Sequence, residues 1–406
     1  MTAEAPVQTA RRSAVAMYTL LSVMFINILG FGIVVPLLPF YGASFHAPPW
    51  QIALIFSAYP IGNFFGEPFW GRLSDRVGRK PILVFTVLAN CICYGSLAFA
   101  PTIWLAFAIR LAGGLAAGNG SVVQGYIADV TPHEERAGRM ARLGAAYNIG
   151  FILGPFVGGV LAKPSAGPLG FQIPLLAASA LAGCSALGIA LAVRESRARQ
   201  GGESKAASPW AAVGLVVRHP VIGPLVLLTF LVGFAFNGIE SVFGLWAHQR
   251  YAWQPRDVGL CFGLSGLIAS PTQFFITGTL SRRYGEARML AIGMVGAVIA
   301  MAVQPFADGG WTTYAVMAMM ALSSSVAFPN AGALMSRAID EHNQGQIMGL
   351  SNAINALSRV VGPQAASFAF ASVSVDGPFF LGALLVAPAI MLALSAGTAA
   401  ARAARP

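Results

Sequence analysis

The ten residues Gly71-Arg72-Leu73-Ser74-Asp75-Arg76-Val77-Gly78-Arg79-Lys80 form a basic loop between two apolar stretches of the chain. A shorter version of this loop, Gly278-Thr279-Leu280-Ser281-Arg282-Arg283-Tyr284-Gly285, follows 207 residues later. The pair Gly154-Pro155 likewise recurs as Gly362-Pro363, at an offset of 208 residues. Two landmarks that repeat at almost the same offset indicate that the chain is a duplication of one structural unit.

Around these landmarks the composition is that of a protein whose solvent is lipid. Of the 406 residues, 56% are hydrophobic and 10% are charged, whereas about 25% are charged in ordinary globular proteins. The mean hydropathy is +0.68. A soluble fold could not cover so much apolar surface, so a disordered chain, a disulfide scaffold and a cytosolic enzyme are all disfavoured.

Twelve stretches are long and apolar enough to be read as membrane spans, since a span needs about 20 mostly apolar residues. They are bounded by charge clusters and by Pro/Gly turns. The predicted spans are residues 16–39, 51–71, 82–100, 102–127, 141–162, 172–193, 221–247, 257–280, 289–307, 311–334, 345–371 and 378–400.

The net charge of +10 is explained by the membrane, not by nucleic acid. Twenty of the 25 Lys and Arg residues fall on one side of the twelve predicted spans, and only Lys163, Arg250 and Arg256 fall on the other. Positive residues concentrate in cytoplasmic loops, so we expect both termini to be cytoplasmic.

The longest polar stretch divides the chain into three parts. We predict an N-terminal six-helix half over residues 1–193, a cytoplasmic linker over 194–220 and a C-terminal six-helix half over 221–406. Six spans in each copy give both halves the same orientation. Parallel repeats of this kind are typical of transporters that alternate access to a site near the middle of the membrane.

Three motifs now point to a known family. The loop supplies the pattern Gly71-x-x-x-Asp75-Arg76-x-Gly78-Arg79-Lys80. Span 4 contains Arg110-Leu111-Ala112-Gly113-Gly114, and span 5 contains Gly150-x-x-x-Gly154-Pro155-x-x-Gly158-Gly159. With the run from Gly30 to Pro39 in span 1, the chain resembles the major facilitator superfamily. Among its members it most resembles the twelve-span drug:proton antiporters of the tetracycline-efflux-like branch.

The resemblance implies a fold and an activity. The fold would be all-α, with twelve transmembrane helices in two parallel repeats. The protein would be a multi-pass transporter of the bacterial inner membrane, working as a monomer and exporting small amphipathic or lipophilic compounds in exchange for protons. It would be no enzyme, and no cofactor or metal is expected, because the histidines and cysteines lack metal-ligand spacing.

Two alternatives stay open at this point. One is a facilitator-type metabolite exporter or importer with the same fold, and the other is a membrane sensor that does not transport. The resembled branch usually has an aspartate in span 1 where this chain has Asn27. A proton-coupled mechanism must therefore use another carboxylate.

Charged residues inside predicted spans are candidates for that role, because burying one costs about 2.5–3.5 kcal/mol on insertion scales. Glu240, Glu67 and Arg110 are the predicted proton-coupling residues, and Arg110 and Glu240 are expected to face one another at matching depth. Polar and aromatic residues at helical spacing predict a substrate cavity. Its predicted lining residues are Asn27, Asn63, Gln124, Asn237, Phe230, Phe234, Asn330, Asn355 and Arg359.

The motifs also carry local structural expectations. Gly71 and Gly78 would permit a tight turn, and Asp75 would cap the start of span 3 and pair with nearby cations. Arg76, Arg79 and Lys80 would face lipid headgroups. The resemblance implies that the loop is a gating latch, and the alternative is a basic loop that only fixes the topology. Two helix faces are also predicted: a smooth packing face on span 5, and one polar stripe along an uninterrupted span 4, formed by Arg110, Gly114, Ala117, Ser121 and Gln124.

Overall fold

The computed structural model describes residues 20–131, 133–196, 216, 219–338 and 344–403. Throughout these ranges the regular structure is helical and no strand occurs. The predicted linker, residues 194–220, lies largely outside the described residues, as do Arg11 and Arg12 before span 1.

Thirteen helices, numbered here in chain order, account for the twelve predicted spans in the described ranges, because span 4 consists of two helices. The helices of the N-terminal half are α1 (Leu20–Ala43), α2 (Pro49–Val77), α3 (Arg79–Leu97), α4 (Ile103–Ala116), α5 (Asn119–Val130), α6 (His133–Leu161) and α7 (Gln172–Ala192). Those of the C-terminal half are α8 (Ile222–Tyr251), α9 (Pro255–Tyr284), α10 (Glu286–Val303), α11 (Gly310–Arg337), α12 (Gln344–Ser372) and α13 (Gly377–Ala403).

Ten spans in the described residues are long and apolar enough to cross a membrane. The helices α2 and α12, each of 29 residues, fall short of that apolar composition. Both contain polar side chains that the sequence analysis assigns to the transport machinery, including Glu67 on α2 and Arg359 on α12. A lower hydropathy is expected for helices that turn a polar face toward other protein.

By internal contacts the chain separates into two compact units. The first comprises residues 1–45 and 58–204, and the second comprises residues 46–57 and 205–406. The start of α2 thus groups with the second unit, where the hydroxyl of Ser57 donates a hydrogen bond to the carbonyl oxygen of Val360 at 2.8 Å.

The first unit is held together by a buried apolar cluster contributed by α1, α3, α5 and α7. Its central side chains include Leu20, Leu83, Val122, Ile127 and Ile189, each essentially inaccessible to solvent. Between membrane helices such side chains stabilise the fold through close van der Waals packing. This cluster fixes α3 and α5 beside one another at the end of the unit that carries the loop motif.

The second unit is built around α8, which packs against α12 and α13, and around the pair α10 and α11. At one end of α8 the indole nitrogen of Trp246 donates a hydrogen bond to Asp376 Oδ1 at 2.8 Å. Arg250 forms an ion pair with the same carboxylate at 3.3 Å and also donates to the carbonyl oxygen of Pro305. Asp376 therefore ties the end of α8 to the loop that follows α12, and Arg250 ties it to the segment that follows α10.

Candidate functional site

The loop motif forms a compact charge network inside the first unit. Arg79 is only 7% exposed. Its guanidinium contacts Asp75 at 2.8 Å and Asp129, near the end of α5, at 3.1 Å. A third bond runs from its Nη1 to the hydroxyl of Ser74 at 2.6 Å. Charge-assisted hydrogen bonds to two carboxylates offset the desolvation of the buried guanidinium, so the loop ties α2, α3 and α5 together.

Two expectations about this loop are wrong. Arg79 faces protein rather than lipid headgroups, because its charge is neutralised by two internal carboxylates. Asp75 does not cap α3. Gly78 occupies the N-cap position with φ +114°, a conformation that favours glycine. The carboxylate of Glu195 accepts hydrogen bonds from the first two backbone amides of α3. The distances are 2.7 Å from Arg79 N and 3.1 Å from Lys80 N.

Glu195, which lies just after α7, is a member of the loop network that was not predicted from the sequence. An acid beside helix-start amides satisfies two donors that otherwise lack intrahelical partners. The only signal in the sequence was a glutamate between Arg194 and Arg197 in an otherwise basic segment. Nothing local indicated that this segment meets the start of α3, which is 116 residues away.

Span 4 is broken, which contradicts the prediction of one uninterrupted helix. The helix α4 ends at Ala116 and α5 begins at Asn119, with Ala117 and Gly118 in extended or irregular conformations between them. Trp70 supports the break, since its indole nitrogen donates to the carbonyl oxygen of Leu115 at 2.8 Å. A side chain at Gly118 would collide with Trp70. The predicted polar stripe therefore divides into two unconnected segments.

Glu67 of α2 lies at this break. Its Oε1 accepts a hydrogen bond from the backbone amide of Ser121 at 3.1 Å, and the Ser121 hydroxyl donates to the Glu67 carbonyl oxygen at 3.3 Å. A Cβ at Gly120 would lie 2.7 Å from the same carboxylate oxygen, so a side chain there would displace the carboxylate. The carboxylate thus occupies the positive end of the half-helix α5.

Arg110 lies deeper in the same unit, on α4. It is 4% exposed, and its Cζ sits 5.1 Å from the centre of the Tyr59 ring on α2, which is a cation–π distance. Its Nε and Nη1 have no hydrogen-bond partner among the described residues. The helices α2 and α4 are in backbone contact here, because a Cβ at Gly114 would collide with the Tyr59 carbonyl oxygen. The guanidinium is therefore buried against an aromatic face.

In the second unit, Glu240 is half-buried on α8. Its carboxylate interacts electrostatically with the guanidinium of Arg359 on α12. One turn earlier, the Asn237 amide donates to the carbonyl oxygen of Gly233 and to Ser358 Oγ, the latter at 3.5 Å. The structure thus brings predicted residues of α8 and α12 together. Arg110 and Glu240 belong to different units, so their pairing stays a prediction.

The other predicted cavity residues have diverse surroundings. Asn27 is buried, and its amide nitrogen has no partner among the described residues, whereas the Asn330 amide donates to the carbonyl oxygen of Val326 in its own helix at 2.7 Å. Phe230 and Phe234 form a tilted ring pair 6.0 Å apart. Asn63 and Asn355 are half-buried and Gln124 is exposed. Their role in one shared cavity stays a prediction.

The glycines of the span 5 motif pack α6 against α1 at backbone distance. A Cβ at Gly150 would lie 2.8 Å from the carbonyl oxygen of Phe25, and one at Gly154 would lie 2.5 Å from the Cα of Gly32. At Gly158 it would lie 2.5 Å from the Ile33 carbonyl oxygen. The close approach expected from the four-residue spacing is therefore present, with Pro155 inside the helix. Movement along this face, and the part played by Gly159, stay predictions.

Among the described residues, no group of three or more His, Cys, Asp or Glu side chains is placed to hold a metal ion. The loop network has Arg79 at its centre, and its two carboxylates are paired with that guanidinium. The chemistry of the site is thus that of buried ion pairs and helix ends.

Comparison with known proteins decides the family. The family model described as the Major Facilitator Superfamily matches residues 20–363 and, in a second match, residues 225–403. The chain belongs to the Major Facilitator Superfamily. The resemblance drawn from the three motifs and the all-α membrane fold are therefore confirmed. Membership of this superfamily also confirms a membrane transporter that binds small-molecule substrates, and not an enzyme.

Relatives of this Major Facilitator Superfamily protein include resistance proteins of bacteria. The class C tetracycline resistance protein of Escherichia coli is 27% identical over 356 residues, covering 86% of this chain and 88% of the relative. Multidrug resistance protein 2 of Bacillus subtilis is 25% identical over 375 residues, covering 90% and 92%. The quinolone resistance protein NorA of Staphylococcus aureus is 23% identical over 359 residues, covering 88% and 90%.

Solved structures agree with the fold. The human organic anion transporter MFSD10 superposes with a TM-score of 0.68 and 22% identity, covering 94% of this chain and 99% of that one. The nucleoside transporter NupG superposes with a TM-score of 0.72 and 14% identity, covering 95% and 98%. At these identities the superpositions establish the shared architecture alone.

Proposed function

We propose that this protein exports small amphipathic or lipophilic compounds, drugs among them, from the bacterial cytoplasm in exchange for protons. The curated relatives named for tetracycline, multidrug and quinolone resistance support export. The protein would work as a monomer in the inner membrane with both termini in the cytoplasm.

The observation that carries the proton-coupling part is the position of Glu67 at the start of a half-helix inside a span. A carboxylate there stabilises the helix end while it is charged and loses that interaction when it is protonated. Proton binding at Glu67 is thereby linked to the conformation of span 4, which also carries Arg110. Asn27 cannot bind a proton, so Glu67 and Glu240 are the candidate proton carriers of the spans.

The remaining motif residues are proposed to support the conformational cycle. The loop network of Asp75, Arg79 and Asp129 would stabilise one access state, and the α6 glycine face would accommodate movement against α1. The predicted polar and aromatic residues of α8, α11 and α12 would contact the exported compound, with Phe230 and Phe234 supplying an adaptable apolar surface.

A drug-susceptibility panel in a pump-deficient bacterial host, with and without a protonophore, tests the function. We expect raised resistance to at least one amphipathic compound, and loss of that resistance when the proton gradient is dissipated. Export that persists with the protonophore would contradict proton coupling and favour a facilitator-type transporter. Absence of transport for the whole panel, with correctly inserted protein, would favour the sensor alternative.

The proton carriers are tested in liposomes with Glu67→Gln and Glu240→Gln. At least one variant should lose substrate-induced proton release and uphill transport. Glu135→Gln is the matched control, because Glu135 is an exposed acid paired with Arg139 outside the predicted spans. If both variants release protons as the parent does, these carboxylates are not the proton carriers. This conclusion holds whether or not export is retained.

A further inference from the structure

The duplicated halves carry a charge network of opposite sign at equivalent positions. Gly78 and Gly285 are separated by 207 residues, both have positive φ (+114° and +87°), and each is the N-cap of the next helix. This equivalence pairs Asp75 with Arg282 and Arg79 with Glu286. The acid Asp75 of the first loop thus corresponds to an arginine in the second loop. The central Arg79 corresponds to a glutamate.

The third residue of each network also has the opposite charge in the two halves. Asp129 lies at the end of α5, and Arg337 is the last residue of α11, the helix that occupies the equivalent place in the second half. Arg337 contacts Glu286 at 2.9 Å, which corresponds to the 3.1 Å contact between Arg79 and Asp129. An acid–base–acid arrangement in one half is a base–acid–base arrangement in the other.

The inversion leaves the second network with uncompensated positive charge. Glu286 is the only acid in the described lining of a cavity of about 900 Å³ between α9, α10 and α11. Three arginines, Arg282, Arg288 and Arg337, line the same cavity, and neither Arg282 nor Arg288 is paired with a carboxylate of a described residue. Arg282 and Arg288 are exposed, so their guanidinium groups are accessible to an anionic ligand.

Exposed apolar side chains lie next to the cavity lining along α9. The last turns of α9 include a π-helical segment, Thr272–Thr277, in which Phe275 is 79% exposed and Ile276 is 47% exposed. The cavity wall itself includes the polar side chains of Gln273 and Ser281 and the apolar side chain of Phe274, which directly precedes Phe275. An anionic group with attached hydrocarbon chains would satisfy both surfaces at once, which a small soluble anion could not do.

We propose that this cavity binds the phosphate headgroup of an anionic phospholipid such as phosphatidylglycerol, with Arg282 and Arg288 as its ligands. Guanidinium groups bind phosphate oxygens through paired, charge-assisted hydrogen bonds. Basic pockets between spans at the membrane surface are suited to such headgroups. The site depends on the membrane location of the family and not on which compound is exported.

Lipid binding by the purified full chain tests the proposal. Native mass spectrometry and thermal unfolding are measured with added phosphatidylglycerol, with phosphatidylethanolamine and with soluble glycerol phosphate. We expect phosphatidylglycerol to bind and to raise the unfolding temperature, and Arg282→Gln/Arg288→Gln to weaken that binding at least roughly tenfold. Arg283→Gln is the matched control, because Arg283 stacks on Tyr284 and does not line the cavity.

A second variant guards against misfolding as the cause of lost binding. Glu286→Gln removes the only acid of the described lining and releases Arg337, so it should bind phosphatidylglycerol more tightly than the parent. The proposal is overturned if the double variant binds phosphatidylglycerol as well as the parent, or if Arg283→Gln weakens binding equally. Equal protection by glycerol phosphate would assign the cavity to a soluble phosphate and overturn the lipid.

Discussion

The carboxylate of Glu67 on α2 accepts a hydrogen bond from the backbone amide of Ser121 at 3.1 Å, at the point where span 4 is interrupted. Two residues 54 positions apart thus form one helix cap in the interior of a predicted membrane span. A helix end away from water needs such a partner, because an unsatisfied amide there costs several kcal/mol. The break and the acid therefore depend on one another.

Removing the Glu67 side chain should destabilise the start of α5. We expect Glu67→Ala to lose about 1–2 kcal/mol, typical of a lost helix cap. Glu67→Gln keeps an acceptor oxygen and loses only the charge at the helix start, about 0.3–1 kcal/mol. Thermal unfolding in detergent should rank the parent above the Gln variant and the Gln variant above the Ala variant. Equal unfolding temperatures for all three would show that the contact does not hold α5.

Two glycines of α6 should respond in opposite directions to the same substitution. At Gly154 a Cβ would lie 2.5 Å from the Cα of Gly32, so Gly154→Ala must separate α6 from α1 at a cost of about 1–3 kcal/mol. At Gly144 no atom lies within 4 Å of an added Cβ, so Gly144→Ala should stabilise the helix by about 0.5–1 kcal/mol. Unfolding temperatures of the two variants check this, and a drop of the same size in both would contradict it.

Glu195 should prove to be a structural residue of the loop motif despite its distance in sequence. We expect Glu195→Ala to leave the first amides of α3 without an acceptor and to cost about 0.5–2 kcal/mol. Glu195→Gln should be milder, because its amide oxygen can still accept one of these bonds. Glu135→Ala serves as the control, since an exposed i,i+4 pair contributes only about 0.3–0.5 kcal/mol. Thermal unfolding in detergent should separate the three variants in that order.

The contact between Arg110 and the Tyr59 ring should appear as an energetic coupling. Tyr59→Phe keeps the ring face and should be nearly neutral, whereas Tyr59→Leu should lose about 0.5–2 kcal/mol of cation–π attraction in addition to packing. A double-mutant cycle with Arg110→Met isolates the attraction. In the Arg110→Met background, Tyr59→Leu should lower the free energy of unfolding by less, and the difference is the cation–π attraction. An unchanged penalty would mean that the guanidinium is held by other groups.

Asp376 should stabilise the fold more through its hydrogen bond with the Trp246 indole than through its ion pair with Arg250. Asp376→Ala leaves the indole N–H without its acceptor, which costs about 1–3 kcal/mol when the group is buried. Asp376→Asn retains an acceptor and gives up only the ion pair with Arg250, whose side chain is 40% exposed, so we expect less than about 1 kcal/mol. The two unfolding temperatures measure the difference. A larger drop for the Asn variant would mean that the ion pair dominates.

The sequence by itself was sufficient to determine the fold class, and it predicted that another helix packs closely on the glycine face of α6. These properties depend on composition and on spacings of a few residues. An excess of apolar residues forces a lipid solvent whatever their order, and glycines four residues apart share one helix face in any helix. The family followed for the same reason, since its motifs are contiguous stretches such as Gly71 to Lys80.

Only the tertiary structure decided where span 4 breaks, what caps α3 and what surrounds Arg110. Each depends on a side chain from another helix: Glu67 and Trp70 at the break, Glu195 at the cap and Tyr59 beneath the guanidinium. Helical periodicity extends over a few turns and carries no information about partners 45 to 116 residues away. The sequence therefore predicted a continuous helix through Gly118, and packing against α2 interrupted it.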